Sequence, residues 1–193
     1  MGRVYEGVGE AWVAFNEGHN TRYCKNGKRV SFNGADLFSY TTVVARYKES
    51  EKGDKYVIAT NRKYSVSTSS HISNCVGKCT VPVFYTYDIW VDDAMILGGM
   101  EINFNSHIHT AIKGWKRDWW DWSAYLCRMH REIVEFCQLT GLKHNLPPIN
   151  EVCAKISMER EERKAAFDDP KAAAKRERDH ARREAKKALQ IAA

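Results

Sequence analysis

Residues 61–75 read NRKYSVSTSSHISNC, a run in which hydroxyl side chains crowd a histidine. Serine with histidine is the pairing of a nucleophile and its general base, which needs hydrogen-bond reach between them and an oxyanion hole. Adjacency alone does not lay the Ser70 hydroxyl on the His71 ring, and the chain has no Gly-x-Ser-x-Gly elbow. The other chemistry open to this stretch is anion binding. If Ser69 or Ser70 ends a strand and caps a short helix holding His71 and Cys75, then Ser69, Ser70 and His71 form a turn whose free N–H groups can hold a phosphate. The cap is the stronger reading, and no catalytic residue is assigned.

Metal chemistry has fewer candidates. Cys75 and Cys79 have the short spacing of a zinc pair, and His71 is a third donor nearby, but no second close pair follows. His107 and His109 stand two apart, which on a helix sends them to nearly opposite sides. Asp92 and Asp93 offer oxygen ligands. Six cysteines in a chain without an export signal are expected to be free thiols in a reducing compartment, so neither a metal nor a cofactor is expected.

A third cluster is KGWKRDWWDW, residues 113–122, which holds Trp115, Trp119, Trp120 and Trp122. On a helix Trp115, Trp119 and Trp122 share a face that suits a core. Trp120, beside Lys116 and Arg117, points elsewhere and fits a stacking platform for a nucleic-acid strand, or an anchor for a protein partner. The formal net charge is +6, and Lys171–Ala193 alone carries eight Lys/Arg against three Asp/Glu, or +5. Lys175, Arg176, Arg178, Arg182, Arg183 and Lys186 therefore form a terminal basic arm able to contact phosphates. No apolar run approaches the roughly 18 residues of a membrane span, so no membrane partner is expected. Phosphate-loop and dinucleotide fingerprints are absent.

These groups need elements to hold them. Thr21–Cys24 and Arg29–Phe32 flank an Asn26-Gly27 hairpin signal. LFSYTTVVARY (37–47), YVIAT (56–60), YSVST (64–68) and VPVFYTYDIW (81–90) read as further strands, the third because Tyr64, Val66 and Thr68 alternate with serines. Pro82 suits a strand start or an edge. Helical spacing then takes over. Asn105 or Ser106 can cap one helix. Asp118 can cap a second, with Asp121 in its first turn and Gly141 at its end. A third runs from about Asn150 to Phe167, and Asp169-Pro170 opens a fourth. The expected fold is α+β: an N-terminal antiparallel sheet packed with central helices, residues 1–148, then a charged helical extension, residues 149–193.

The pair of segments LFSYTTVVARY and YSVSTSSHIS resembles a family of short, uncharacterised bacteriophage proteins. That family carries a Ser-Tyr-x-Thr strand followed by an alanine, then a Tyr-Ser-x-Thr-Thr-Ser-x-His-like turn. The matching positions are Ser39, Tyr40, Thr42, Ala45, Tyr64, Ser65, Thr68, Ser69 and His71, with Ser67 in place of a threonine. The resemblance spans about Trp12 to Val76. It implies a phage-encoded protein acting in the host bacterial cytoplasm, and it brings no reaction. The leading expectation is an accessory protein that binds nucleic acid or a nucleoprotein machine without catalysis. The alternatives are a protein-binding host-factor inhibitor or virion assembly component, self-associating or docking through its terminal helix, and then a metal-dependent enzyme.

Overall fold

The computed structural model describes residues 3–19, 21–24, 29–62, 64–115 and 121–191; side chains at 3, 21–24, 171–172 and 185–191 are outside the description. In chain order the elements are β1 (Arg3–Tyr5), α1 (Val8–Asn16), β2 (Thr21–Cys24), β3 (Val30–Asn33), β4 (Asp36–Ser39), β5 (Thr42–Glu49), β6 (Lys55–Thr60), α2 (Val66–Val76), β7 (Val83–Thr86), α3 (Asp93–Lys113), α4 (Trp122–Thr140), α5 (Ile149–Asp168) and α6 (Pro170–Ile191). The fold is α+β, ending in a long charged helix. The chain divides into two compact units, residues 1–102 with 131–145, and residues 103–130 with 146–193.

The first unit is built on a five-stranded sheet of order β3-β4-β5-β6-β7. Its first four strands are antiparallel, as expected, but β6 and β7 are parallel, so the sheet is mixed. The physical reason lies in residues 64–68, which are not a strand. Ser65 accepts the Thr68 N–H as an N-cap, and α2 starts at Val66. A helix between β6 and β7 supplies the crossover that parallel strands require. Helical spacing places Thr68, Ile72, Cys75 and Val76 on the buried face.

LFSYTTVVARY likewise holds two strands, joined by a two-residue loop at Tyr40-Thr41 between the paired Ser39 and Thr42. The preceding loop, Gly34-Ala35, joins Asn33 to Asp36. Both loops place their first residue at positive φ, +54° for Gly34 and +57° for Tyr40. Glycine adopts that region freely; tyrosine is held there at a cost of about 1–2 kcal/mol. The β4–β5 register shifts between Leu37 and Phe38. That bulge lets the consecutive Val44 and Ala45 both lie fully buried in β5, where simple alternation would expose one.

Strand β6 is buried from Tyr56 to Thr60. On one side Leu37, Ala45, Tyr47, Val57 and Ala59 join Trp12 of α1 and Ile72 of α2 in a single core. Trp12 meets Tyr47 at 4.4 Å between ring centroids. Helices α1 and α2 approach closely at Gly9, where a Cβ would sit 2.7 Å from the Cys75 Sγ. A second aromatic group joins Tyr56, Phe84 and Phe136, with Phe84 and Phe136 4.9 Å apart. Asp93, at the start of α3, accepts the Tyr56 hydroxyl at 2.7 Å and pairs with Lys48. Burial raises the hydroxyl pKa of both Tyr47 and Tyr56, and hydrogen bonds to Cys79 and Asp93 add to it.

In the second unit Phe104, Ile112, Leu126, Val152 and Ile156 are buried. Arg160 of α5 donates to the carbonyls of Ala111 at 2.7 Å and Trp115 at 3.2 Å. Helix α3 is continuous through Asn105 and Ser106, so neither is a cap; its first turn is capped by Asp92, which accepts the Met95 N–H at 2.8 Å. Asp121 caps α4, accepting the Ala124 N–H at 3.0 Å. That hydrogen bond holds the Asp121 carboxyl below its usual pKa. Asp118 and the Asn26-Gly27 turn lie outside the described residues. Gly141 ends α4 at φ +75°, as a C′ residue does.

Candidate functional site

The hydroxyl-rich stretch forms a structural latch. Ser69, Ser70 and His71 sit within α2, one turn or more beyond its cap, so they are not an anion-binding turn: their N–H groups belong to the helix. The alternation of residues 64–68 mimics a strand, which displaced the expected cap by four or five positions from the true one, Ser65. His71 instead turns its Nδ1 to the Ser39 hydroxyl at 2.9 Å. Ser39, 1% exposed, donates to Thr68 at 3.3 Å, and Ser65 also bonds Thr68 at 3.3 Å. Tyr40 lies over His71 at 5.8 Å between centroids. The turn after β4 is thereby fastened to the first turns of α2, and the burial of Ser39 leaves no room for an attacked carbonyl.

The metal candidates are dispersed in their bonding. His71 is taken by Ser39, while the Cys79 thiol accepts from the Tyr47 hydroxyl at 3.6 Å. Burial raises the Cys79 pKa and keeps the thiol protonated. Among the described residues no group of three His, Cys, Asp or Glu side chains could hold a metal ion. Asp92 caps α3, Asp93 holds Tyr56 and Lys48, and His107 meets Tyr125 at 3.3 Å. Among the described side chains, Cys75, Cys79, Cys127, Cys137 and Cys153 form no disulfide.

Lys116, Arg117 and Trp120 lie outside the described residues. Lys175, Arg176, Arg178, Arg182 and Arg183 are all exposed on α6; Lys186 belongs to that helix, with its side chain outside the description. Arg176 stacks on Phe167 at 3.7 Å from the ring centroid. Lys175, Arg178, Arg182 and Lys186 recur three or four apart, so they share one helical face.

A feature the motifs did not point to lies at the carboxyl ends of β6 and β7. There a cavity of about 490 Å³ is walled by Thr41 of the β4–β5 turn and Thr42 at the start of β5, Thr60 at the end of β6 and Arg62 beyond it, and Tyr87 and Trp90 after β7. Tyr87 and Trp90 remain 69% and 61% exposed. Each ring is backed by a guanidinium: Arg62 stands 4.5 Å from the Tyr87 centroid, and Arg46 stands 4.2 Å from that of Trp90. Arg62 Nε donates to the Tyr87 carbonyl at 2.8 Å, and Arg46 is bidentate to Asp36 at 2.5 and 2.8 Å. Asp88 accepts the Trp90 N–H at 3.0 Å and so sets the turn that carries that ring. The available signal was Tyr85-Thr86-Tyr87-Asp88-Ile89-Trp90, where aromatics continue past the end of a short strand into an Asp-initiated turn.

Residues 14–91 match a family of unknown function, DUF8033. No curated protein and no solved structure matches the chain. The DUF8033 stretch contains every residue of both the Ser39–His71 latch and the β6–β7 cavity, whereas α3 to α6 follow it.

Proposed function

We propose that the protein is a phage-encoded accessory protein that works in the bacterial host by binding nucleic acid, or a machine assembled on it, without catalysis. The observation that carries the reading is the basic face of α6. Lys175, Arg178 and Arg182 are exposed along one side of a helix in which every side chain from Ala174 to Glu184 is exposed. At 1.5 Å per residue, the row from Lys175 to Lys186 extends about 16 Å, enough to face several phosphates. Such contacts release counterions, so affinity should fall steeply with salt. The test compares full-length protein with protein lacking Lys171–Ala193 on a random duplex at several salt concentrations. Truncation should weaken binding across sequences and flatten the slope by about 0.9 for each phosphate that the shortened chain no longer neutralises. Identical slopes would remove α6 from the reading.

A second reading, a protein-binding inhibitor or assembly component, is favoured by one feature of α3. Met95 and Ile102, 63% and 73% exposed, stand seven residues apart on one helical face. A stable complex recovered from nuclease-treated host lysate, lost on Met95→Asp or Ile102→Asp, would move the assignment there.

A further inference from the structure

We infer that the cavity at the carboxyl ends of β6 and β7 is a nucleotide subsite for single-stranded nucleic acid, in which a base stacks on Tyr87 or Trp90 and a phosphate meets Arg62. This rests on the nucleic-acid reading and gives it a second, independent site in the first unit.

Three observations point to that ligand. The volume, about 490 Å³, falls in the range of small-ligand sites. The two rings are large, exposed and held in place by stacked guanidinium groups, which is an expensive way to display apolar surface unless something covers it. Stacking between aromatic side chains and bases, with arginine contributing a cation–π interaction, is the mode by which single strands are gripped without reading their sequence. The two arginines also differ. Arg46 is committed through two nitrogens to Asp36, so it orients Trp90 and carries little free charge. Arg62 is fixed only through Nε and keeps both Nη groups for an anionic oxygen, with the Thr41 and Thr42 hydroxyls on the same wall.

The charge balance of the cavity sharpens the expectation. Among the described residues the lining holds one cation, Arg62, and one carboxylate, Asp88, so its described part has little net charge. Affinity there must come from stacking more than from counterion release, and it should respond weakly to salt. A duplex, with its bases paired and stacked, offers no face to either ring.

The test is fluorescence anisotropy of a labelled short oligothymidylate, titrated with full-length protein at low and high salt. The variants are Tyr87→Ala, Trp90→Ala, Tyr87→Phe, Arg62→Gln and the Lys171–Ala193 deletion. Alanine at either ring should weaken binding roughly 5- to 150-fold, by a similar factor at every salt concentration. Tyr87→Phe keeps the ring and should recover most of the affinity that Tyr87→Ala loses. Arg62→Gln should weaken binding and lower the slope by about 0.7, the share of one single-strand phosphate. The deletion should change the slope more than affinity at high salt. If both alanine variants keep their melting temperature and bind the oligomer as wild type does, while the deletion weakens binding, the subsite is wrong and the nucleic-acid reading stands on α6. If the wild type binds neither the oligomer nor the random duplex, both fail. If the ring variants weaken duplex and single strand alike, the single-strand assignment is overturned.

Discussion

Helices α2 and α6 use the same backbone geometry for opposite purposes. Helix α2 is 11 residues long and hides Thr68, Ile72, Cys75 and Val76. It is capped by Ser65, latched to Ser39 and pressed against Gly9 of α1. Helix α6 is 22 residues long, and its side chains from Ala174 to Glu184 are all exposed. Burial fixes position. The crossover that contains α2 can therefore hold rings, hydroxyls and a guanidinium in a set geometry around a cavity. The exposed run from Ala174 to Glu184 fixes no such geometry, and it can act through charge, which works at a distance and tolerates misalignment. The division suggests a site that discriminates in the first unit and a handle that attracts at the chain terminus.

The largest effect should come from alkali. Burial places Tyr47 and Tyr56 well above the ordinary tyrosine value. A raised folded pKa means that the neutral form is favoured by folding. The associated stability is complete below the unfolded value, about 10, and is lost as pH rises from there through the folded values. Tyrosinate absorbance should show at least two hydroxyls, those of Tyr47 and Tyr56, that ionise only together with loss of the tertiary circular dichroism signal. Helix α6 contains no tyrosine, so its far-ultraviolet signal should not report that step. Titration of all nine tyrosines before unfolding would show that the core is wetter than its packing implies.

Gly9→Ala comes next. The added Cβ would meet the Cys75 Sγ at 2.7 Å and the Cys75 Cα at 3.0 Å, and the latter is backbone that cannot swing aside. Overpacking of this kind costs about 1–3 kcal/mol, offset by up to about 1 kcal/mol of helix propensity. A net loss that Cys75→Ala partly relieves is expected from chemical denaturation. Unchanged stability would mean that α1 and α2 are loosely apposed.

The latch is the third test. Ser39→Ala removes the partner of His71 and one of the two bonds to Thr68, and should cost about 1–2 kcal/mol. Ser65→Ala removes the cap, at about 0.5–2 kcal/mol. Ser70→Ala, on the exposed surface of α2 with one bond to Asn74, should stay within about 0.5 kcal/mol. The reverse ranking would restore a helix start at Ser70.

That ranking also marks where sequence and structure part. The α+β division was legible because the strand signal of Val30–Asn33 and Tyr56–Thr60 and the helical spacing of Trp122–Thr140 each extend over most of an element. Gly141 and Asp169-Pro170 were legible because glycine enters the positive-φ region freely and proline fixes its own φ, so each marks a backbone position directly. Tyr40-Thr41 concealed a turn, since both residues favour strands and the bulge at Val44 that accommodates the bend is a tertiary property. Ser65 was passed over because five residues of alternation outweighed a cap whose apolar partners, Ile72, Cys75 and Val76, begin only seven residues later. The cavity was least visible. Thr41, Arg62 and Trp90 are far apart in sequence, and it takes the antiparallel pairing of β5 with β6 together with the parallel pairing of β6 with β7 to bring their segments to one end of the sheet.

The smallest effect tests the other half of the comparison. Among the side chains described between Pro170 and Glu184 none is buried, so deleting Pro170–Ala193 should remove little of the apolar burial that stabilises folding. The cost should come mainly from the α5–α6 junction. There Arg176 stacks on Phe167 and donates to its carbonyl, an exposed cation–π pair worth about 0.5–1 kcal/mol. Arg176→Ala in the full chain should therefore reproduce most of the change seen on deletion, and neither should alter the denaturant slope by more than the surface of one helix. Tryptophan emission is a clean reporter, because α6 contains no tryptophan. A loss above about 2 kcal/mol on deletion, with Arg176→Ala silent, would mean that α6 packs as α2 does. The terminal charges would then belong to a folded interface, and the distinction between a placed site and a charged handle would collapse.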